Sequence, residues 1–330
     1  MYFYSTELRE ETLKYWYKEL AKFVVTKAAQ YAYQRIQTEK LVVIKGPTGT
    51  GKSACAYHVA LRLKNEYCFT IMPARQPSDI TQYYKAGTNQ VFIIDDCIGK
   101  YDLEESEVVT WEKEGPLIHK ILSNNDQTKV ILTCRKSIWH PNVFDRFGLQ
   151  VFVCDLHTDE LRLTVSEKRT ICESYLEKSD MKVITDEIIN MYSFLPSLCS
   201  IFSSEDVGTV ENFFTLPVQL IEEEIDKYKM KSPVRYISLA VLAIKQKTTK
   251  HLSHVNNENE ELIKSLFLES GSQILPSKRL IVSQLEALTD TYVKVDNDCF
   301  EFIHETMQAI VLYCIAKTCI NSVLKYSKAM

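Results

Sequence analysis

The chain has 330 residues, of which 45% are hydrophobic and 25% charged, and its formal net charge is −4. This composition is that of a globular protein of two or three domains, and it argues against a non-specific nucleic-acid binder, which needs excess positive charge. No stretch approaches the roughly 18 uncharged apolar residues of a membrane span, and no basic segment precedes an apolar one at the N-terminus. We therefore expect a cytoplasmic protein without a membrane or nucleic-acid partner.

The first predicted element is an N-terminal helix and linker over residues 1–22. Within it, Leu13, Trp16, Tyr17 and Leu20 fall on one side of a helix spanning residues 6–22. We expect these side chains to pack against the protein, while the charged residues face solvent.

Residues 23–160 alternate short apolar strands with helical patterns. The strands are predicted at 41–44, 68–72, 91–94, 129–134 and 149–154, and the helices at 27–37, 52–64 and 105–122. Buried strands that alternate with helices indicate an α/β fold with a mostly parallel sheet, covered on both faces. The ten cysteines form no C-x-x-C pair, and we expect reduced thiols.

The pattern changes after residue 160. Residues 161–230 carry helix signals only, and we predict a helical lid domain there. Residues 231–330 add a hairpin-like segment between 292 and 302, so we predict a winged-helix-like domain. Its positive and negative charges are nearly balanced, which does not favour DNA binding.

Residues 46–53 match the phosphate-binding pattern G-x-x-x-x-G-K-[ST], between a predicted strand and a predicted helix. Glycines let backbone N–H groups turn towards phosphate oxygens without a Cβ clash. Lys52 would reach the β- and γ-phosphates, and the Ser53 hydroxyl would bind Mg²⁺. The residues predicted here to bind nucleotide are Gly46, Pro47, Thr48, Gly49, Thr50, Gly51, Lys52, Ser53 and Ala54.

Two carboxylates follow the third predicted strand, in the Walker B form. A buried parallel strand brings the groups at its end to the ligand crevice of the sheet. Asp95 would hold the Mg²⁺, and Asp96 would orient or polarise the attacking water. At the end of the fourth strand, Arg135 would sense the γ-phosphate, because a guanidinium binds phosphate at two points and stays charged.

The base of the bound nucleotide is predicted to be adenine rather than guanine. Residues 96–99 fit the D-x-x-G spacing of GTPases, but no N-K-x-D or T-K-x-D sequence follows to read a guanine. We therefore expect ATP or ADP with Mg²⁺ as the cofactors.

The chain resembles the novel STAND NTPases, signal-transduction ATPases related to the NACHT and apoptotic ATPase groups, and most of all their third novel subfamily. The matching segments are 23–28, 46–53, 91–99, 132–137, 193–199 and 302–307. The resemblance implies that the lid proline, Pro196, packs on adenine and that the winged-helix histidine, His304, contacts the ADP β-phosphate. Residues from Phe23 to Thr26 would flank the base.

The resemblance also implies a regulatory switch that is closed with ADP and opens with ATP to self-associate. Hydrolysis, with Lys52, Asp96 and Arg135 as the catalytic residues, would be slow, in a signalling or immune-type response. The effector and repeat sensor domains of such proteins would belong to a larger protein or to partner proteins. A P-loop phosphotransferase and a non-hydrolysing nucleotide-binding scaffold are the alternatives.

Overall fold

The structure is a computed structural model that describes residues 6–124, 127–202, 209–249, 257–289 and 291–327. Its Cα positions form two compact units. The first contains Met1–Asn190 and Phe194–Glu205, and the second contains Met191–Ser193 and Asp206–Met330. Part of the predicted lid region therefore belongs to the first unit, and its boundaries as a separate domain stay a prediction.

The first unit is built on a five-stranded parallel sheet. Its strands are β1 (Leu41–Gly46), β2 (Thr70–Ala74), β3 (Gln90–Ile94), β4 (Thr128–Arg135) and β5 (Phe152–Asp155). The order across the sheet is β2-β3-β4-β1-β5. Strand β4 thus lies between β1 and β3, and its register pairs Arg135 with Gly46. The carboxyl ends of these three strands therefore meet at one edge of the sheet, as the sequence predicted.

Helices cover both faces of this sheet. The helices described from residue 6 to residue 202 are α1 (Thr6–Glu19), α2 (Lys27–Thr38), α3 (Lys52–Tyr67), α4 (Pro77–Tyr83), α5 (Glu105–Asn124), α6 (Pro141–Asp145), α7 (Val165–Tyr175), α8 (Asp186–Met191) and α9 (Leu195–Phe202). Single 3₁₀ turns occur at Leu20–Lys22 and Asp180–Lys182. Helices α1 to α3 pack on the face that carries Val42 and Ile44, and α5 and α6 on the face that carries Leu41 and Val43.

The alternation of faces explains why the strands read as continuous apolar runs. Successive side chains of a strand point to opposite sides, and here both sides are covered by helices. The α/β prediction for this region is confirmed.

Two predicted strands begin later than expected. Strand β2 starts at Thr70 instead of residue 68, because Cys68 has a left-handed backbone (φ 56°) that ends α3. Strand β5 starts at Phe152 instead of residue 149. Leu149 and Val151 pack against the core from the loop after Gly148 without joining the sheet.

Two short helices, α4 and α6, were not predicted. Each is seven residues or fewer and begins with a proline, which is well suited to the first turn of a helix. They are too short to show a helical period, so only their prolines could have indicated them.

The second unit is mostly helical. Its elements are α10 (Val210–Thr215), α11 (Val218–Lys231), α12 (Pro233–Lys245), β6 (Thr248–Thr249), α13 (Asn257–Ser270), α14 (Lys278–Ala287), β7 (Val293–Asp296), β8 (Cys299–Phe302), α15 (Glu305–Ala316) and α16 (Ile320–Tyr326). Helix α12 is buried over residues 235–244 and forms the centre of this unit.

The predicted hairpin is confirmed, since β7 pairs antiparallel with β8. Strand β6 joins the other edge of β8, which gives the order β6-β8-β7. From α12 to β8 the chain runs helix, strand, two helices, two strands. That order suits a winged helix, and the winged-helix assignment stays a prediction. In the part of the chain that the structure describes, no helix has the length and apolar character needed to cross a membrane.

Candidate functional site

The loop between β1 and α3 turns through two glycines with positive φ angles. They are Gly49, at 74°, and Gly51, at 89°, a region that strongly favours glycine. The Thr50 hydroxyl donates to the carbonyl oxygen of Pro47 at 2.9 Å and closes the turn. Helix α3 begins at the end of this loop, so its first N–H groups and its positive dipole end lie where an anionic group would bind.

Lys52, the first residue of α3, is folded over this loop. Its Nζ donates to the carbonyl oxygen of Pro47 at 2.7 Å, and the residue is only 7% exposed. Burial, reinforced by the nearby Arg135 charge, lowers the pKa of Lys52 from 10.5 to about 8. A phosphate group would favour the charged form of this lysine, so its position suits an anionic ligand.

Ser53 and Asp95 come together from different elements. The Ser53 hydroxyl donates to the Asp95 carboxylate, with distances of 2.8 Å to Oδ1 and 2.9 Å to Oδ2. A hydroxyl and a carboxylate are the hard oxygen donors that Mg²⁺ prefers, usually together with phosphates and waters. The residues present therefore fit the Mg²⁺ that the sequence predicted at this edge.

Thr133, on β4, connects the two carboxylate residues. Its hydroxyl donates to Asp95 Oδ1 and accepts from the backbone N–H of Asp96 at 2.9 Å. This one buried hydroxyl thus acts as both donor and acceptor, and the two bonds fix the end of β3. This role of Thr133 was not predicted, although a threonine within an apolar strand is a visible signal of a polar function.

Asp96 takes an unusual backbone conformation, with a φ of 48°, directly after Asp95. Its Oδ1 lies 3.7 Å from the Nε of Arg135. Burial raises the pKa of Asp96, and the Arg135 charge opposes that rise. Desolvation together with a specific charge partner is typical of a carboxylate at a functional site.

Arg135 reaches across the loop. Its Nη1 donates to the hydroxyl of Thr48 at 3.1 Å, while its Nε faces Asp96. The guanidinium also lies over the ring of Tyr101, 4.9 Å from its centroid, and Arg135 is 8% exposed. Arg135 therefore joins the loop to the carboxylates. Tyr101 was missed because it lies in an irregular loop without a motif.

The first turn of α9, which contains Pro196, lies against the phosphate loop. The backbone N–H of Ser197 donates to the carbonyl oxygen of Gly49 at 3.3 Å. A Cβ built on Gly49 would lie 2.4 Å from the Cβ of Phe194, so a side chain there would collide. Pro196 is thus held next to residues that contact the loop, and its contact with adenine stays a prediction.

The segment that was predicted to flank the base lies between α3 and α7. The ring of Phe23 stacks on that of His58, with centroids 4.8 Å apart. The Thr26 side chain accepts from the N–H of Ala29 at 3.2 Å and caps α2. This cap gives Thr26 a structural role, and its predicted nucleotide contact stays untested.

His304 belongs to the second unit. Its Nδ1 accepts from the N–H of Thr306 at 3.1 Å, so His304 caps the N-terminus of α15. Its ring meets the edge of Tyr192, with centroids 6.5 Å apart. A contact with phosphate stays a prediction for this histidine, whose observed role is structural.

One more residue lies at the carboxylates without having been predicted. The hydroxyl of Tyr57, on α3, lies 3.4 Å from Asp95 Oδ2. Burial and the Asp95 charge raise the pKa of Tyr57, so this phenol stays protonated and acts as a donor. The strand-end cluster of Lys52, Ser53, Asp95, Asp96 and Arg135 is therefore brought together within the first unit, with Thr133 and Tyr57 as supporting residues.

A glycine loop opening a helix beside a parallel strand, with a lysine, two carboxylates and an arginine at one sheet edge, defines a P-loop NTPase domain. Residues 23–178, just under half of the chain, match the family model for Novel STAND NTPase 3. This match covers the P-loop domain and agrees with the resemblance to the novel STAND NTPases that the sequence motifs indicated.

A solved structure with a TM-score above 0.5 supports the fold. A Walker-type ATPase of Pyrococcus abyssi matches with a TM-score of 0.52 and 10% identity, over 88% of this chain and 95% of that one. The Thermotoga maritima RuvB Holliday junction branch migration motor matches with a TM-score of 0.37 and 16% identity, over 93% and 94%. AMPPCP-bound DnaA from Aquifex aeolicus matches with a TM-score of 0.35 and 11% identity, over 91% of this chain and 92% of that one. None of the curated proteins matches the chain.

Proposed function

We propose that the chain is an ATP-binding regulatory switch of the STAND type, closed with ADP and self-associating with ATP. The observation that carries the proposal is the meeting of Lys52, Ser53, Asp95, Asp96 and Arg135 at one sheet edge. Adenine is favoured because the chain has no guanine-reading N-K-x-D or T-K-x-D sequence.

At the phosphate end, Lys52 would exchange its bond to the Pro47 carbonyl for the β- and γ-phosphates. Ser53 and Asp95 would hold Mg²⁺, which neutralises phosphate charge when bound. Arg135 would contact the γ-phosphate, since its guanidinium already lies between the loop hydroxyl of Thr48 and the carboxylate of Asp96.

Hydrolysis of ATP to ADP and phosphate needs a water aligned with the γ-phosphate. Asp96 would orient this water and accept its proton, a role that its partial burial supports. Arg135 and Asp96 pair with each other here, so each must partly release the other before both can act. This competition supports a slow reaction that resets the switch.

The lid side would convert nucleotide state into a conformational change. Because the first turn of α9 rests on Gly49, a shift of the loop on γ-phosphate binding would reach α9 directly. Pro196 and Thr26 would contact the base side of ATP, and His304 would contact the β-phosphate of ADP. Nucleotide shifts the balance only by its different affinity for the two states. Effector and sensor domains, or partner proteins, would respond in a signalling or immune-type pathway.

The test is to identify the nucleotide that co-purifies and then to compare sedimentation with ATP and with ADP. We expect bound ADP and a larger assembly with ATP only. Lys52→Ala should lose both properties, whereas the control Lys64→Ala, in the last turn of the same helix, should keep them. Equal mass with ATP and ADP, from protein that binds both, would overturn the switch. Binding of ATP without any turnover would favour a non-hydrolysing scaffold.

A further inference from the structure

Tyr57 connects the candidate metal site to the N-terminal helix. It lies one helical turn after Ser53 on α3, and its hydroxyl contacts Asp95 Oδ2 at 3.4 Å. On its other side, the Tyr57 ring stacks on the indole of Trp16, with centroids 4.1 Å apart and an interplanar angle of 11°. A continuous path of contacts therefore runs from α1 to the carboxylate.

The two oxygens of Asp95 are each held by a hydroxyl from a different element. Thr133, on β4, donates to Oδ1, and Tyr57, on α3, donates to Oδ2. Hydrogen bonds of this kind fix the orientation of a metal-binding carboxylate, and losing one typically weakens metal binding about 10- to 100-fold. Thr133 is part of the rigid sheet, whereas the position of Tyr57 depends on what covers its ring.

Trp16 is what covers that ring, and it also anchors α1. Trp16 is 5% exposed and Leu13 is similarly buried, whereas their neighbours Tyr15 and Tyr17 are 57% and 47% exposed. The expected inward position of Tyr17 is therefore wrong, because the inward side of α1 is narrower than the sequence pattern indicated. Helix α1 is attached to α3 through the same side chain that stacks on Tyr57.

We propose that Tyr57 is a positioning residue for Asp95, and that Trp16 couples the docking of α1 to the binding of Mg²⁺ with nucleotide. This inference rests on the proposed nucleotide site. Coupling of this kind is reciprocal: bound Mg·nucleotide holds α1 in place, and a force or partner that displaces α1 weakens Mg²⁺ binding.

The first test uses calorimetry to measure ADP affinity at increasing Mg²⁺ concentrations. The quantity compared is the Mg²⁺ concentration that gives half of the maximal gain in ADP affinity. Tyr57→Phe should raise this concentration about 10-fold and leave the affinity for ADP in EDTA unchanged. The matched control is Tyr33→Phe. It removes a hydroxyl on α2 that donates to Glu66, a residue of α3 like Tyr57, and this variant should behave as wild type. Equal loss of ADP affinity with and without Mg²⁺ in Tyr57→Phe would show a merely structural role and overturn the proposal.

The second test addresses the coupling to α1. Trp16→Ala should raise the half-saturating Mg²⁺ concentration as Tyr57→Phe does, Trp16→Phe should largely restore it, and Tyr17→Ala should have no effect. Amide hydrogen exchange in residues 6–19 of wild type should slow with Mg·ADP and not with ADP in EDTA. Unchanged exchange, or an unaltered Mg²⁺ requirement in Trp16→Ala, would overturn the coupling. If wild type binds ADP but the Tyr57 and Trp16 variants have an unaltered Mg²⁺ requirement, the coupling is refuted and the proposed function still stands. If wild type binds no nucleotide, the coupling and the proposed function are both refuted.

Discussion

The phosphate end of the candidate site and its lid side are built from different kinds of contact. At the phosphate end, charged and hydroxyl groups from three neighbouring strand ends contact one another directly, as Arg135 does with Asp96 and Thr48. On the lid side, Thr26 caps a helix, and Phe194 and Ser197 rest on the backbone of Gly49. The chemistry of the first region follows from sheet register. The second is set by packing, so its roles with nucleotide need separate tests.

The largest expected effect comes from the strand-end carboxylate. Asp96→Asn keeps the size of the side chain but removes the proton acceptor, so ATP turnover should fall about 100-fold or more. Binding of ATP, measured by calorimetry, should persist. Asp155→Asn is the matched control, since Asp155 also ends a strand of this sheet but pairs with Lys45 at 2.7 Å. Equal losses in both variants would show that position at the sheet edge, rather than the pairing with Arg135, decides activity.

The next effect compares two loop glycines. Gly49→Ala and Gly51→Ala both place a Cβ on a residue with positive φ. Each substitution should lower the free energy of unfolding by about 1–2 kcal/mol for this reason alone. Only at Gly49 does the new Cβ meet Phe194, which should add about 1–3 kcal/mol or displace α9. Thermal unfolding should show the difference in stability.

Thiol labelling shows whether α9 has moved. Cys199, on α9, is fully buried, so it should label faster in Gly49→Ala than in Gly51→Ala. The exposed Cys68 should label at the same rate in both variants and serves as the internal control. Equal Cys199 labelling in the two variants, with equal stability, would mean that the contact between Phe194 and the loop does not hold the lid.

A smaller effect separates two roles of His304. As a helix cap, it should contribute about 1 kcal/mol, lost in His304→Ala and largely restored in His304→Asp, because aspartate also caps helices well. As an ADP ligand, it should not be replaceable by aspartate. Retention of ADP through gel filtration distinguishes the two, since a cap alone predicts normal retention in His304→Asp.

The pH dependence of binding is the effect expected to be smallest near neutral pH. The pKa of Lys52 is lowered to about 8 without ligand, and a bound phosphate favours its charged form. Nucleotide binding should therefore take up a proton between pH 8 and 10.5, and affinity should fall by up to about tenfold per pH unit as pH rises through that window. Heats measured in buffers of different ionisation enthalpy report the proton. Lys52→Arg should abolish the dependence, because a guanidinium stays charged. A pH-independent affinity in wild type would contradict it.

Local sequence was sufficient for the phosphate end. The residues before and after each strand are fixed by the chain, and parallel pairing brings their ends together whatever the details of packing, as the register of Gly46 with Arg135 shows. That is why the loop, both carboxylates and Arg135 were predicted at one edge.

The supporting residues depended on tertiary packing. Tyr57 reaches Asp95 because α3 is oriented by the core, and Trp16 stacks on Tyr57 because α1 docks there. No pattern in the sequence specifies either contact. Thr26 and His304 carry a further ambiguity, since the side chain of a cap and that of a ligand residue can be the same.

Calorimetry on folded, nucleotide-free protein tests most directly whether the phosphate end binds Mg·nucleotide. We expect heat on titration of ATP or ADP into wild type, with tighter binding when Mg²⁺ is present. Ser53→Ala should lose the part that depends on Mg²⁺, because its hydroxyl no longer joins Asp95 at the metal. Absence of heat with every purine nucleotide, or an undiminished Mg²⁺ effect in Ser53→Ala, would contradict the assigned site.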